Sequence, residues 1–146
     1  MLPSYKSGLL QVKSHRILRN HVNAALLPFS LSVPEWSLLG ALFEKSNLKL
    51  TSIASYLDVE TPLITGLLDG LEKKSFLKRK TDPADRRSKP IVLTAKGQTL
   101  VPIVERALQE TLKNLLKGLT ATDMQTYQKV LEAIIKNDQK ISSNKD

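Results

Sequence analysis

The run Asp82-Pro83-Ala84-Asp85-Arg86-Arg87-Ser88-Lys89-Pro90-Ile91-Val92-Leu93-Thr94-Ala95-Lys96-Gly97 decides how this chain is read. Its first eight residues combine acids, bases and a proline, the composition of a turn-rich loop. Residues 90–93 and 76–80 flank that loop as short segments that can pair as antiparallel strands. Thr94 then stands where a helix cap belongs, ahead of a fifth helix expected to reach about Lys117, with Pro102 as a site for a bend because it has no backbone N–H to donate.

Towards the N-terminus, Ile64, Leu67, Leu68 and Leu71 fall at i, i+3, i+4 and i+7, the stripe of an amphipathic helix. Thr61-Pro62 opens that fourth helix and Ser75 ends it. A third helix is expected at 52–57, capped by Thr51, with Asp58 in the turn, where Asp tolerates the left-handed conformation. Leu48-Lys49-Leu50 alternates like a minimal strand. Ser32, followed by Val33-Pro34-Glu35-Trp36, has the cap, proline and first-turn acid of a second helix, whose buried face is Leu38, Leu39, Leu42 and Phe43. Residues 5–27 form a long first helix ended by Pro28. A sixth starts at Thr120 or Thr122 with Met124, Tyr127, Val130, Leu131, Ile134 and Ile135 on one face, and a polar tail from Asn137 is expected to fray.

The order is helix, helix, short strand, helix, tight turn, helix, hairpin, helix, helix. This is a mainly α chain with a small β-hairpin, and its middle has the order of a winged helix-turn-helix. We expect a single domain over 1–146, with a winged lobe at 33–95. The segments 5–28 and 96–140 are dimerisation helices, because their apolar faces are most simply buried against each other and a second copy.

Charge points the same way. The chain of 146 residues carries a net +8. Between Glu72 and Lys96 there are nine basic and three acidic residues, so most of the excess sits in one window. A local basic cluster suits a polyanion such as nucleic acid. The absence of Cys removes disulfides, Cys-ligated zinc and thiol redox sensing. No apolar run approaches the roughly 18–20 residues of a membrane span, and residues 1–10 make a poor signal peptide. A cytoplasmic location is expected, with no membrane association.

Asp82-Pro83-Ala84-Asp85-Arg86-Arg87 followed by Leu93-Thr94-Ala95-Lys96-Gly97 resembles the wing pattern of the MarR family of bacterial regulators, D-x-R, five residues, then L-T-x-x-G. Val33-Pro34-Glu35-Trp36 with Leu39 and Leu42, Ile53-Ala54-Ser55-Tyr56-Leu57 and Ile64-Thr65-Gly66-Leu67-Leu68-Asp69-Gly70-Leu71-Glu72 support the likeness along nearly the whole chain. The resemblance implies a homodimer joined through the first, fifth and sixth helices. It implies binding to a roughly palindromic duplex and, in many relatives, release when a small aromatic or anionic compound binds between the dimer and DNA-binding regions.

On this reading the candidate DNA contacts are Thr61, Pro62, Thr65, Gly66 and Lys73 on the fourth helix, Lys78, Arg79, Lys80 and Lys89 along the hairpin strands as phosphate contacts, and Arg86 and Arg87 at the wing. Arg86 is the residue expected to enter a minor groove, where negative potential is concentrated. Asp85 is expected to brace Arg87. The fourth helix offers no Arg or Asn for bidentate base recognition. Gly66 and Gly70 cost roughly 1 kcal/mol each relative to Ala; we expect them to let the backbone approach DNA or a partner closely. Phe29 and Trp36 are the candidate effector-pocket residues. His15 and His21 have no acidic or Cys companions at ligand spacing, so no metal and no cofactor are expected. The alternative is a winged-helix protein-interaction module with weak or no specific DNA binding. An enzyme is not expected, since no nucleophile–base pair or phosphate-cradling loop is present.

Overall fold

Ser32 begins the central lobe as the sequence requires. Its hydroxyl accepts from the Glu35 backbone N–H at 3.3 Å, and the Glu35 carboxylate accepts from the Ser32 N–H at 2.9 Å, a complete capping box with Pro34 in the first turn. The helix that follows is α2, Val33–Glu44. In the computed structural model, which describes residues 3–81, 83–85, 87 and 89–143, the remaining elements are α1 (Ser4–Leu26), a 3-10 turn (Leu27–Phe29), α3 (Leu50–Leu57), α4 (Thr61–Lys73), β1 (Leu77–Arg79), β2 (Ile91–Leu93), α5 (Ala95–Lys113) and α6 (Ala121–Ser143). The chain forms two compact units, residues 1–112 and 113–146.

Both helices of the helix-turn-helix stop without glycine. Asp58 and Ser75 adopt left-handed φ of 52° and 63°. Around each, the next N–H reaches back over the last turn: Val59 to the Ala54 carbonyl at 3.1 Å and Phe76 to that of Leu71 at 3.0 Å. These bonds satisfy carbonyls that the helix end leaves open, and offset the roughly 1–2 kcal/mol that a side chain costs in this region.

The core is one cluster. Leu26, Leu38, Leu39, Leu42, Ile53, Ile64, Leu68, Leu71, Leu77, Ile91 and Val104 are all within 2% of full burial. β1 and β2 pair antiparallel, Leu77 opposite Leu93 and Arg79 opposite Ile91. Gly97 closes the hairpin onto α5. A Cβ there would stand 2.1 Å from the Phe76 carbonyl oxygen, so only glycine allows α5 to start against the end of α4. Thr94 caps α5 as expected, accepting from the Gly97 N–H at 3.1 Å.

Four local expectations are corrected. The strand at 48–50 reduces to a single bridge, Leu48 to Ile91. The third helix begins at Leu50, capped by the Lys49 backbone rather than by Thr51, because a helical turn there lays Leu50 beside Ile53 on the core. The fifth helix stops at Lys113, not Lys117; turns follow to Gly118, whose φ of 88° lies in the left-handed region. The tail does not fray at Asn137: α6 runs to Ser143, and Ile141 extends its apolar stripe seven residues past Ile134. Within its own unit, α6 is capped by Thr120, whose N–H and hydroxyl both donate to Asp123 at 2.7 Å. Those bonds hold the Asp123 carboxyl below its ordinary range.

Candidate nucleic-acid interface

α4 buries Ile64, Leu68 and Leu71 and turns its other face to solvent. Thr61, Pro62, Thr65, Gly66, Asp69 and Lys73 are all exposed there, as the 3.6-residue period requires. Thr65 turns its hydroxyl back onto the Thr61 carbonyl at 3.1 Å, the usual local bond of a helical Thr. A Cβ at Gly66 would meet nothing within 4 Å, which leaves its backbone open to an approaching surface. Gly70 departs from the expectation: it is half-buried, and a Cβ there would lie 3.5 Å from Glu35 Oε1, so its close neighbour is α2.

The hairpin sorts its cations by strand alternation. Leu77 points into the core, so Lys78 and Lys80 point away from it and are exposed. Arg79 lies on the Leu77 side and meets α4. Its Nη2 sits 2.6 Å from Asp69 Oδ1, its Nη1 donates to Glu72 Oε2, and its backbone N–H reaches Glu72 Oε1 at 3.4 Å. The bond to Asp69, with the nearby Glu72 charge, raises the guanidinium pKa further above its ordinary value despite partial burial. Expected to contact phosphate, Arg79 here has both ends of its fork paired with carboxylates of its own chain.

Beyond Arg79 the wing stands off the helix. A cleft of about 450 Å³ separates Thr65 and Leu68 of α4 and the start of α3 at Lys49 from Asp85, Arg87 and Lys89. Asp85 braces Arg87 through the backbone, accepting its N–H at 3.0 Å; no guanidinium pairing between them is seen. Asp82, Arg86 and Ser88 lie outside the described residues.

Three of the nine window cations are spent inside the fold. Besides Arg79, Lys74 Nζ bonds Glu35 Oε1 at 2.8 Å and the Ser30 carbonyl at 2.7 Å. Lys96 Nζ donates to the Lys74 carbonyl at 2.9 Å and lies over the Phe76 ring. Burial would push the Glu35 carboxyl up, but the hydrogen bonds from Lys74 and the Ser32 N–H, with the Lys74 charge, outweigh it and hold it below its ordinary value. Lys73, Lys78, Lys80, Arg87 and Lys89 remain exposed, with no ion pair among the described residues.

The two pocket candidates separate. Trp36 lines a groove of about 480 Å³ between α2 and α5 with Gly40, Phe43, Val101, Pro102 and Arg106. Phe29 packs half-buried against the core and is not among the residues lining that groove. His15 and His21 are exposed on α1, and among the described residues no group of three His, Cys, Asp or Glu is placed to hold a metal.

A family model described as the MarR family matches residues 31–89, the segment that holds α2 to α4 and β1. An HTH-type transcriptional repressor of Mycobacterium tuberculosis is 28% identical over 127 residues, 87% of this chain and 91% of that protein. The crystal structure of CouR from Rhodococcus jostii RHA1 bound to p-coumaroyl-CoA superposes with a TM-score of 0.78 at 26% identity, covering 87% of this chain and 90% of that one. The Staphylococcus aureus MepR–DNA complex does so with 0.74 at 26% identity, covering 90% and 96%.

Over residues 31–89 the chain is similar to the MarR family.

Within that fold the MarR wing pattern acquires physical reasons. The Thr94 of L-T-x-x-G is the α5 cap, and its Gly97 is the contact point with the Phe76 carbonyl. The sequence signal for that role is a glycine three residues after a capping Thr at a strand-to-helix junction. The Glu35–Lys74 pair was missed for a different reason. Its members are 39 residues apart, and no periodicity links them.

Proposed function

We propose that this chain is a homodimeric, cytoplasmic transcription regulator of the MarR family that represses by occupying promoter DNA, and that a small aromatic or anionic effector releases it. The observation that carries the reading is the pairing of one exposed helix face with one exposed set of wing cations. Thr61, Pro62, Thr65, Gly66 and Lys73 enter the major groove, with Gly66 giving the backbone its close approach. Lys78, Lys80, Arg87 and Lys89 hold phosphates, and Arg86 enters the minor groove. With no Arg or Asn on the α4 face, selectivity leans on the wing and on DNA shape.

Dimerisation uses α1, α5 and α6. Tyr5, Leu9, Leu10, Val12 and Ile17 of α1 and Tyr127, Val130, Leu131, Ile134, Ile135 and Ile141 of α6 are large apolar side chains left exposed in one chain, and a second copy is the occupant that buries them. Two recognition helices then read half-sites about 34–36 Å apart. The Trp36 groove takes the effector, whose binding changes that spacing; function is a difference in DNA affinity between two conformations, with no reaction catalysed.

Fluorescence anisotropy with the duplex upstream of the chain's own gene, beside a scrambled duplex and across a salt series, tests the reading. Selective binding that weakens with salt and is impaired by Arg86→Ala supports it. Absence of binding to either duplex and to random-sequence pools at low salt, with the dimer folded, overturns it in favour of a protein-interaction module.

A further inference from the structure

Three side chains in a row, Lys78 and Arg79 of β1 and Lys80 just after it, are cationic, yet only the middle one is turned inward. Arg79 is the link between the wing and the recognition helix at the outer end of the paired strands, opposite the buried Ile91. Below it, Leu77 and Leu93 hold the hairpin by burial. Above it lies the open cleft between α4 and Asp85, Arg87 and Lys89. The two three-residue strands and the Leu48–Ile91 bridge hold the base of the wing, and Arg79 ties it to α4. The planar guanidinium spans Asp69 and Glu72, one helical turn apart on the same face, and the Arg79 N–H adds a second bond to Glu72. A fork of this kind fixes direction as well as distance, which a Lys ammonium cannot do. The same bridge sets a positive charge against Asp69, a carboxylate still exposed beside Gly66 and Lys73 that would otherwise confront phosphate uncompensated.

We propose that Arg79 is a positioning residue for DNA recognition: it sets the wing at a defined angle to α4 and shields Asp69, and it does not itself hold a phosphate. This rests on the DNA-binding reading above. Arg79 acts through where it places Lys80, Arg87 and Lys89 relative to Thr65 and Gly66.

The test compares Arg79→Lys, Arg79→Gln and Glu72→Gln with Lys78→Ala in the full-length protein, by anisotropy on the upstream and scrambled duplexes across salt. A positioning role predicts that both Arg79 variants and Glu72→Gln lower affinity for the upstream duplex about tenfold while scrambled-duplex affinity and the salt slope stay near wild type. Lys78→Ala instead weakens both duplexes alike and lowers the slope by about 0.9, the signature of one lost phosphate contact. Wild-type behaviour of Arg79→Lys, or a slope change in Arg79→Gln matching that of Lys78→Ala, overturns the proposal and leaves the DNA-binding reading intact. Should wild type bind no duplex, that reading fails by itself. The bridge is then tested without DNA by backbone ¹⁵N relaxation at residues 77–80 and 87–91: increased motion in Arg79→Lys and Glu72→Gln supports it, and unchanged order overturns it.

Discussion

The middle of the chain and its two terminal helices spend the same kind of residue in opposite ways. Among the described residues, seventeen of the nineteen buried apolar side chains lie between Leu38 and Leu108. α1 contributes Leu26 alone to that set, and α6 none. Conversely, eleven of the eighteen large apolar side chains left exposed belong to α1 and α6. The difference teaches that the central segment, with α5 and the end of α1, gathers the core, whereas most large apolar side chains of α1 and α6 stay exposed. Exposed patches of that kind mark association surfaces. On the proposed dimer, folding and association fall to different residues and can be broken separately.

Gly97→Ala attacks the core-forming side at its tightest point. A methyl group 2.1 Å from the Phe76 carbonyl forces α5 away from the hairpin, so a loss of about 3 kcal/mol is expected by urea titration. A loss below about 0.5 kcal/mol, within the range of ordinary surface substitutions, would break the claim that this contact organises the lobe.

Ile134→Glu attacks the other side. The lobe is expected to keep its thermal transition by circular dichroism while sedimentation shows monomer. Affinity for the upstream duplex then falls by about 100-fold or more as the second half-site contact is lost. A variant that remains dimeric would end the distinction between lobe and terminal helices.

Glu35→Gln probes the joint where α2 meets α4 and the 3-10 turn. It weakens both the capping box and the Lys74 bridge, at an expected cost of about 1–2 kcal/mol at pH 7. The folded Glu35 carboxyl titrates below its ordinary value of 4.5, so its contribution is fully present above 4.5 and is lost as pH falls through the folded value. The gap between wild type and variant, measured by denaturant titration from pH 7 to pH 3, should therefore narrow on the acid side. A gap that widens there would contradict the assigned network.

The smallest expected effect is Gly66→Ala. Nothing lies within 4 Å of the new methyl, and the helix gains about 1 kcal/mol. If duplex affinity drops while stability rises, the glycine serves the DNA surface. Unchanged affinity would make it an unused position on that face.

Much of this lobe was legible in the sequence because its signals are local. The Ile64–Leu68–Leu71 stripe, the Ser32 box, the Thr94 cap and the left-handed Asp58 and Ser75 each depend on residues within one or two turns of each other. Errors clustered where a local signal competed with the core. Leu48-Lys49-Leu50 alternates as a strand does, yet Leu50 joins α3 because the core beside Ile53 rewards it. The site was legible as a set of cations but not as a division of labour among them. Lys78, Arg79 and Lys80 look alike in sequence, and only the carboxylates that α4 presents tell Arg79 from its neighbours.

By itself, then, the sequence determined the order of elements, the hairpin between Leu77 and Leu93, the surplus of positive charge around it and the family pattern, all through short-range periodicity and capping. The tertiary structure alone decided which cations are free. Lys74, Arg79 and Lys96 meet their partners 7 to 44 residues away along the chain. It also decided that Gly97 is a packing contact, that Gly70 faces Glu35, and that Trp36 lines a groove without Phe29. The physical reason is the same in each case: charge pairing and close packing depend on distance in space, and one-dimensional spacing reports that distance only within a helical turn or a strand pair.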